Sequence, residues 1–405
     1  MSSTMVKLEK VCDVIRGVTF KPEDLVPPFT ENSIVVMRTK NVQVKGLDYE
    51  DLISIPIDLI KDQKKVLIDG DLLISSANSW YLVGKTSFFE TNKLASPVTA
   101  GGFISIIRPK ASIKSKYLYH WLTTDKSQHK IRHLGRQTTN ISNLDFKQFK
   151  KLEIPLPSLP EQQRIADILD KAEAINQKRE QALALCDEFL RATFLNMFGD
   201  PVSNPKGWKV DKLKNLTSIN PKPDKSKLQN ININEGVSFV PMAAVCEVDK
   251  KVTEYERRPL NEVIKGFTYF EKEDVILAKI TPCFENGKMA HLNNLPTDIG
   301  YGSTEFHVFR VSNKTIMPEY LFNMLKLEYF LEMGAFKMRG AAGQRRVPIE
   351  FFGEFVMPIP PIELQQKFSE IVEKVNAIKA HIQHAQELPL FDALSQQAFK
   401  GELTQ

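Results

Sequence analysis

Residues able to do covalent or metal chemistry are present, but not in the spacings that such chemistry needs. A phosphate-cradling loop requires a glycine five residues before its Gly-Lys pair. Gly84-Lys85-Thr86 has Ser79 at that place, and Gly287-Lys288-Met289 has Pro282. His129 and His133 stand four apart, as two zinc ligands on one helix face would, but Lys130-Ile131-Arg132 between them supplies no glutamate to act as base. They read as surface or groove histidines. Cys12, Cys186, Cys246 and Cys283 show no CxxC spacing and no evident histidine partner, which disfavours a zinc site, a disulfide framework or a thiolate nucleophile. Asn204-Pro205-Lys206-Gly207 is the nearest fragment to the Asn/Asp-Pro-Pro-Tyr-like loop of an amino-methyltransferase, and it is not one. No catalytic or metal-binding residue is expected. A nuclease-like carboxylate cluster stays open, since Asp and Glu are spread throughout.

Binding chemistry is better represented. The stretch from Arg108 to Lys151 holds 11 Lys and Arg against Asp125 and Asp145 alone, a larger excess than the +5 of the whole chain. Cations of this kind neutralise phosphates, while Arg, Gln and Asn fork onto base edges. Arg132, Arg136, Gln137, Thr138 and Asn140 combine both chemistries on a loop around Gly135. Lys337, Arg339, Gln344, Arg345 and Arg346, around Gly340 and Gly343, repeat the combination in the second half. A second pair of segments lies at strand ends: Ser75, Ser76 and Asn78 with Lys85, and Lys279 and Thr281 with Lys288. Their polar groups either meet a groove or cap a turn. Arg38-Thr39-Lys40-Asn41 is a lesser candidate of the same type.

The elements that must position these residues come in two copies. Ile154-Pro-Leu-Pro157 with Gln162-Gln163 matches Met357-Pro-Ile-Pro360 with Gln365-Gln366 at an offset of 203 residues, half the chain. From Ile154 to Ile175 eight of 22 positions are identical to their counterparts. The same offset relates Asp71 to Asp274, Gly84-Lys85 to Gly287-Lys288, Phe103 to Phe306, and Tyr117-Leu118 to Tyr320-Leu321. Each copy opens with about 150 residues of short β-rich runs punctuated by Gly, Pro, Asn and Asp, an α+β pattern. A proline-rich hinge follows, which disfavours helix. The period then changes to three and four, through Ile165, Leu169, Ala172, Ile175, Leu183, Cys186, Phe189/Leu190 and Met197. At about 1.5 Å per residue this helix would reach about 57 Å. The second copy repeats the stripe from Phe368 to Leu388, and Pro389 predicts a kink. Each narrow stripe must be buried, and the best-matched partner is its own duplicate, in an antiparallel coiled coil with pseudo-twofold symmetry.

Two globular segments, each followed by a hinge of the Ile154-Pro-Leu-Pro-Ser-Leu-Pro-Glu-Gln-Gln163 kind and a long helix, resemble the DNA-specificity subunit of type I restriction-modification systems. The Phe399-Lys-Gly-Glu-Leu403 ending adds to the likeness, which covers nearly the whole chain. Pro361-Ile-Glu-Leu364 departs from Ser158-Leu-Pro-Glu161. The resemblance implies target-recognition domains at 1–157 and 201–360, and spacer helices at 158–200 and 361–405. Each domain would read one part of a split, asymmetric site on double-stranded DNA, and the helices would set the spacer, with surfaces held roughly 34 Å apart. It further implies two modification subunits that use S-adenosylmethionine to methylate adenine, and two restriction subunits driven by ATP and magnesium. This chain would bind no cofactor and catalyse nothing itself.

Composition sets outer limits. With 42% hydrophobic and 25% charged residues, 405 residues suffice for two or more folded domains and suit neither a disordered chain nor a polycation. The amino terminus lacks the apolar core of a signal peptide, no 18 apolar residues run together, and the unpaired cysteines fit a cytoplasmic protein. Three alternatives stand beside the resemblance: a freestanding bipartite DNA-binding regulator, a protein-binding scaffold without affinity for DNA, and, least favoured by the motif failures above, a cryptic nuclease or methylase.

Overall fold

The computed structural model describes residues 4–44, 46–137, 142–224, 226, 228, 236–341, 343–384 and 390–403, with backbone only at 136, 137 and 384. Two compact units divide the chain. Unit 1 comprises residues 1–181 and 383–405, and unit 2 comprises residues 182–382.

Unit 1 is built on a four-stranded antiparallel sheet in the order Cys12–Arg16, Ile104–Pro109, Leu72–Ser75, Thr86–Phe88. Its central strands are apolar on both faces because both are covered. Leu72, Ile74 and Ile107 meet helix α1 (Ser115–Thr123), through Tyr117, Leu118 and Leu122. Leu73, Ile104 and Ile106 point the other way, toward Val35, Met37 and Val98, as the two-residue period of a strand requires. Those partners belong to a second sheet, in which Val98–Ala100 runs parallel to Ser33–Met37 and Ile53–Pro56 antiparallel. Helix α2 (Asp125–His133) follows α1, with the Thr124 hydroxyl accepting from the Ser127 N–H at its start.

Unit 2 repeats this plan. Thr217–Ile219, Phe306–Val311, Val275–Ala278 and Met289–His291 form the first sheet in the corresponding order. In the second, Gly236–Val240 pairs parallel with Ile299–Gly302. Helices α4 (Pro318–Leu325) and α5 (Glu328–Lys337) stand where α1 and α2 do; α3 is the long helix described below. Even the ion pair fastening the first sheet recurs, Arg108 on Asp71 and Arg310 on Asp274, each bidentate at 2.7–2.9 Å. The register corrects one equivalence. Ile104 pairs with Ser75 as Phe306 pairs with Ala278, so Phe306 corresponds to Ile104, and Phe103 is a loop residue 64% exposed.

Helix α3 (Leu159–Phe198) is 40 residues long and contributes to both units, the division falling after Gln181. In unit 1 its Ile165, Ala166, Leu169 and Ala172 are buried. There, helix α7 (Leu390–Lys400) closes on α1 and the start of α3: Phe399 meets the ring of Tyr117 at 5.4 Å, and Arg164 donates to the Leu403 carbonyl. In unit 2 the end of α3 packs on helix α6 (Ile362–His384). Phe194 and Phe198 each lie 5.4 Å from Phe368, and Lys379 pairs with Asp187 at 2.9 Å, so the two helices run antiparallel. Phe198 meets Tyr320 as Phe399 meets Tyr117. Gly199 and Gly401, both at positive φ, end α3 and α7. The apolar stripe is narrower than its spacing predicts: Leu190 is buried, whereas Phe189, Ile175 and Ile378 are exposed. Residues 385–389, with the kink expected at Pro389, lie outside the described residues.

The hinge motif owes its spacing to one glutamine. Gln162 is fully buried, accepts from the Lys114 N–H, and donates to the Pro157 and Ser112 carbonyls. Gln365 likewise accepts from Met317 and donates to Pro360 and Thr315. Each ties the end of a hinge to the loop before α1 or α4. The buried hydroxyls of Tyr117 and Tyr320 donate to Pro155 and Pro358 in the same hinges. Among the described residues no helix is long and apolar enough to cross a membrane.

Candidate nucleic-acid interface

In both units the fold brings together the two candidate segments that lie some 60 residues apart in sequence. In unit 1, Gly135–Gln137 pairs with Ser142–Leu144, which pairs in turn with Ala77–Asn78. In unit 2, Ile280 bridges to Arg346, and Arg346 exchanges backbone bonds with Arg339 at 2.8 and 2.9 Å. The Thr281 N–H donates to the Arg345 carbonyl, and the Val347 N–H to that of Lys279. A short cationic hairpin thus lies along the strand end in each unit.

The individual side chains divide into presenters and supports. In unit 1, Arg132 is half-buried on α2, and Asn78 and Ser76 are partly accessible. Ser75 is fully buried and takes a bond from Asn78, so it supports the loop instead of facing solvent. Lys85, 7% exposed, is likewise withdrawn, and burial lowers the pKa of its ammonium. Arg136 and Gln137 lie on the hairpin by their backbone; Thr138 and Asn140 lie outside the described residues. In unit 2, Lys337, Arg339 and Gln344 are exposed. Arg346 is held by a fork of bonds to Glu305 at 2.8 and 2.9 Å, and Arg345 meets Glu285 at 3.2 Å. The hydrogen bond from Arg346 and its charge hold the Glu305 carboxyl below its usual range. Thr281 also donates to Glu285, Lys279 is half-buried, and Lys288 lies 3.5 Å from Glu247.

Several cations of the basic stretch are already neutralised. Arg108, Lys110 and Lys116 meet Asp71, Asp13 and Asp170, all from outside that stretch. Its local excess is therefore smaller in the fold than in the sequence. Arg38 and Lys40 are both tied to Asp51, and Asn41 is buried, its amide closing the loop back on Arg38, Asp48 and Glu50. The rings of His129 and His133 lie 4.2 Å apart, tilted by 37°, with Trp80 edge-on to His133 at 5.3 Å. Among the described residues one group has the makings of a metal site, His120, Asp170 and Glu173, with candidate ligand atoms within 4.8 Å. His120 Nε2 bonds Asp170 at 2.6 Å and the Lys116 ammonium lies 3.7 Å from the same oxygen, so a cation already serves that carboxylate. The sequence reading missed the buried Gln162 and Gln365 as ties between hinge and loop, and passed over the exposed aromatics Tyr81 and Phe336.

Comparison with known proteins agrees with this duplicated architecture. The family model described as the type I restriction modification DNA specificity domain matches twice, over residues 2–185 and 205–389. The specificity subunit of the type I restriction enzyme EcoAI from Escherichia coli is 38% identical over 167 residues, 41% of this chain and 28% of that protein. The chain thus matches only about a quarter of the length of that relative. The StySPI specificity subunit from Salmonella potsdam is 23% identical over 97% of this chain and 88% of its own. Among solved structures, the type I S subunit from M. genitalium shares the fold with a TM-score of 0.58, at 14% identity, over 99% of this chain and 96% of its own. Matched over most of its length by two copies of one domain model, the chain belongs to the family of type I restriction-modification DNA-specificity subunits.

Proposed function

We propose that each unit reads one part of a split, asymmetric site on double-stranded DNA, and that the long helices set the spacer and dock the modification subunits. The observation that carries this is the recurrence, in both units, of a cationic hairpin laid along a polar strand end. Cations would hold phosphates, and Arg, Gln and Asn would read base edges. Arg345 and Arg346, oriented by Glu285 and Glu305, are the pre-set members of unit 2. Because the two hairpins differ in most residues, the two parts of the site differ as well. Residues 1–157 and 201–360 serve as recognition domains, and 158–200 and 361–405 as spacer helices. The complete assembly adds two modification subunits, which carry S-adenosylmethionine and methylate adenine, and two restriction subunits, which use ATP and magnesium. This chain directs that chemistry without cofactor or catalytic residue of its own.

The test is to co-express the chain with the modification subunit encoded beside it and to map methylated adenines across host DNA by single-molecule sequencing. Methylation confined to one split, asymmetric motif is the expected outcome. A stable complex that methylates active-control DNA at no motif, with the purified chain also failing to bind DNA at low salt, would refute the assignment.

A further inference from the structure

We propose that Tyr81 in unit 1 and Phe336 in unit 2 are stacking wedges. Each enters the duplex at its own half-site and stacks on the bases that face the gap when the target adenine swings out for methylation. The inference rests on the specificity function proposed above. Tyr81 is 80% exposed and Phe336 85%, the two most exposed aromatic side chains among the described residues.

Their positions in the duplicated fold are instructive. The offset of 203 aligns Tyr81 with Phe284 and Phe336 with His133, so the two aromatics are not counterparts in sequence. Tyr81 lies in the loop Ser79–Gly84, which meets α2 where Gly84 faces Ile131, and Phe336 lies in the last turn of α5, the helix that meets the loop Pro282–Gly287 through Gly334. The exchange has a steric origin. In unit 2 the ring of Phe284 is fully buried over Gly334, where even a Cβ would lie 2.3 Å from its Cζ. Gly334 aligns with Ile131, which is also fully buried and fills that space in unit 1, its Cγ2 2.4 Å from where a Gly84 Cβ would be. Tyr81 therefore has no pocket to enter. Unit 2 buries its loop aromatic and instead puts Phe336 into water from the helix. Unit 1 thus exposes one large ring from the loop, and unit 2 one from the end of the helix that the loop meets.

Through its sequence neighbours each ring adjoins the hairpin of its unit. Tyr81 follows Trp80, which His133 holds edge-on. Phe336 precedes Lys337, whose ammonium lies 5.7 Å from its ring, then Met338, whose sulfur lies 3.5 Å from the Thr281 hydroxyl, and Arg339, which pairs with Arg346. Cations that hold the backbone beside a flat apolar ring are the two parts of a base-stacking site. Chemistry on a base within a duplex requires that base to leave the stack, and an inserted apolar side chain compensates the unstacked neighbours.

The test uses the complex of the full chain with the modification subunit encoded beside it, reading fluorescence on duplexes that carry 2-aminopurine at the target adenine of one half-site or the other, and methylation on the unmodified duplexes, because 2-aminopurine has no 6-amino group to accept a methyl group. The wild-type complex should brighten at both. Tyr81→Ala should lose brightening and slow methylation roughly 5- to 150-fold at one half-site only, the equivalent of one base–aromatic stack. Phe336→Ala should do so at the other half-site only. Tyr81→Phe and Phe336→Tyr should restore both signals, since either ring stacks. Both side chains are solvent-facing, so the variants retain the fold, and fluorescence anisotropy reports DNA binding separately. Alanine variants that brighten and methylate normally at both half-sites overturn the proposal. So does a loss of affinity with unchanged brightening per bound complex, which would make the rings binding contacts only. A wild-type complex that methylates no split motif, with the purified chain also failing to bind DNA at low salt, would refute the specificity function itself, and the wedges with it.

Discussion

Replacing Gln365 by methionine tests whether the hinge motif is a hydrogen-bonded staple. Methionine has nearly the same length and volume, so packing is kept while three bonds are lost: from the Met317 N–H at 2.8 Å, and to the Pro360 and Thr315 carbonyls at 2.8 and 2.9 Å. The residue is fully buried, so water does not replace its amide without a rearrangement. Each bond contributes about 0.5–1.5 kcal/mol net, and each orphaned buried group costs about 1–3 kcal/mol. Taking partial relaxation of the two carbonyls, the variant should lose about 3 kcal/mol. For a unit of this size that corresponds to a fall in Tm of about 6–12 °C. Calorimetry of the full chain should show the loss in the transition belonging to unit 2, and Gln162→Met should move the transition belonging to unit 1. A loss below about 0.5 kcal/mol in both variants would refute the reasoning, because the glutamines would then be passengers in an apolar hinge.

Four further outcomes follow from the same contacts. Burial alone would lower the pKa of His291, but Glu273 and Glu319, each 3.0 Å away, outweigh it and lift the imidazole to about 9. Its stabilising effect is complete below the unfolded value of about 6.5 and is lost as pH rises through about 9, so thermal melts of His291→Gln should lack the alkaline decline of the wild type between pH 7 and 9.5. Gly334→Ala should destabilise unit 2 by about 1–3 kcal/mol in urea denaturation, through overpacking against Phe284; a neutral result would mean that the ring moves freely. Lys337→Ala and Arg339→Ala, measured by anisotropy, should each reduce the slope of log K against log salt by about 0.9 if each neutralises one phosphate, and an unchanged slope would remove that residue from the interface. Inserting four residues into α3 between Ala172 and Ala182 should add about 6 Å of helix, changing the preferred spacer while leaving both half-sites intact; an unchanged spacer in a binding selection would refute the proposal that the helices set it.

What the sequence made legible was periodic or punctuated. The three-and-four spacing from Ile165 onward, the prolines of the hinge and the repeated Gln-Gln pair marked the long helix and the duplication, because these depend on local geometry. The convergence of Ser75–Asn78 with the paired strands Gly135–Gln137 and Ser142–Leu144 was not legible, since it depends on strand pairing across some 60 residues. Nor was the withdrawal of Ser75 and Lys85, because a polar residue at a strand end reads the same whether it faces water or a loop. The basic stretch misled for a related reason: the carboxylates that neutralise Arg108, Lys110 and Lys116 come from remote segments. The expected stripe overreached at Phe189, since a three-and-four pattern accommodates either Phe189 or Leu190 and only the packing partner decides.

The closure of unit 1 by α7 has a consequence for biosynthesis. Unit 2 is one continuous stretch, residues 182–382, and can complete its core as soon as that stretch has left the ribosome. Unit 1 cannot: Tyr117 and the buried face of α3 near Ile165 wait for Ala398 and Phe399, made more than 200 residues later. At about 5–20 residues per second the nascent chain carries that open surface for roughly 10–45 s. The half translated first is thus the half finished last, and during synthesis it is unit 1 that would need a chaperone's cover.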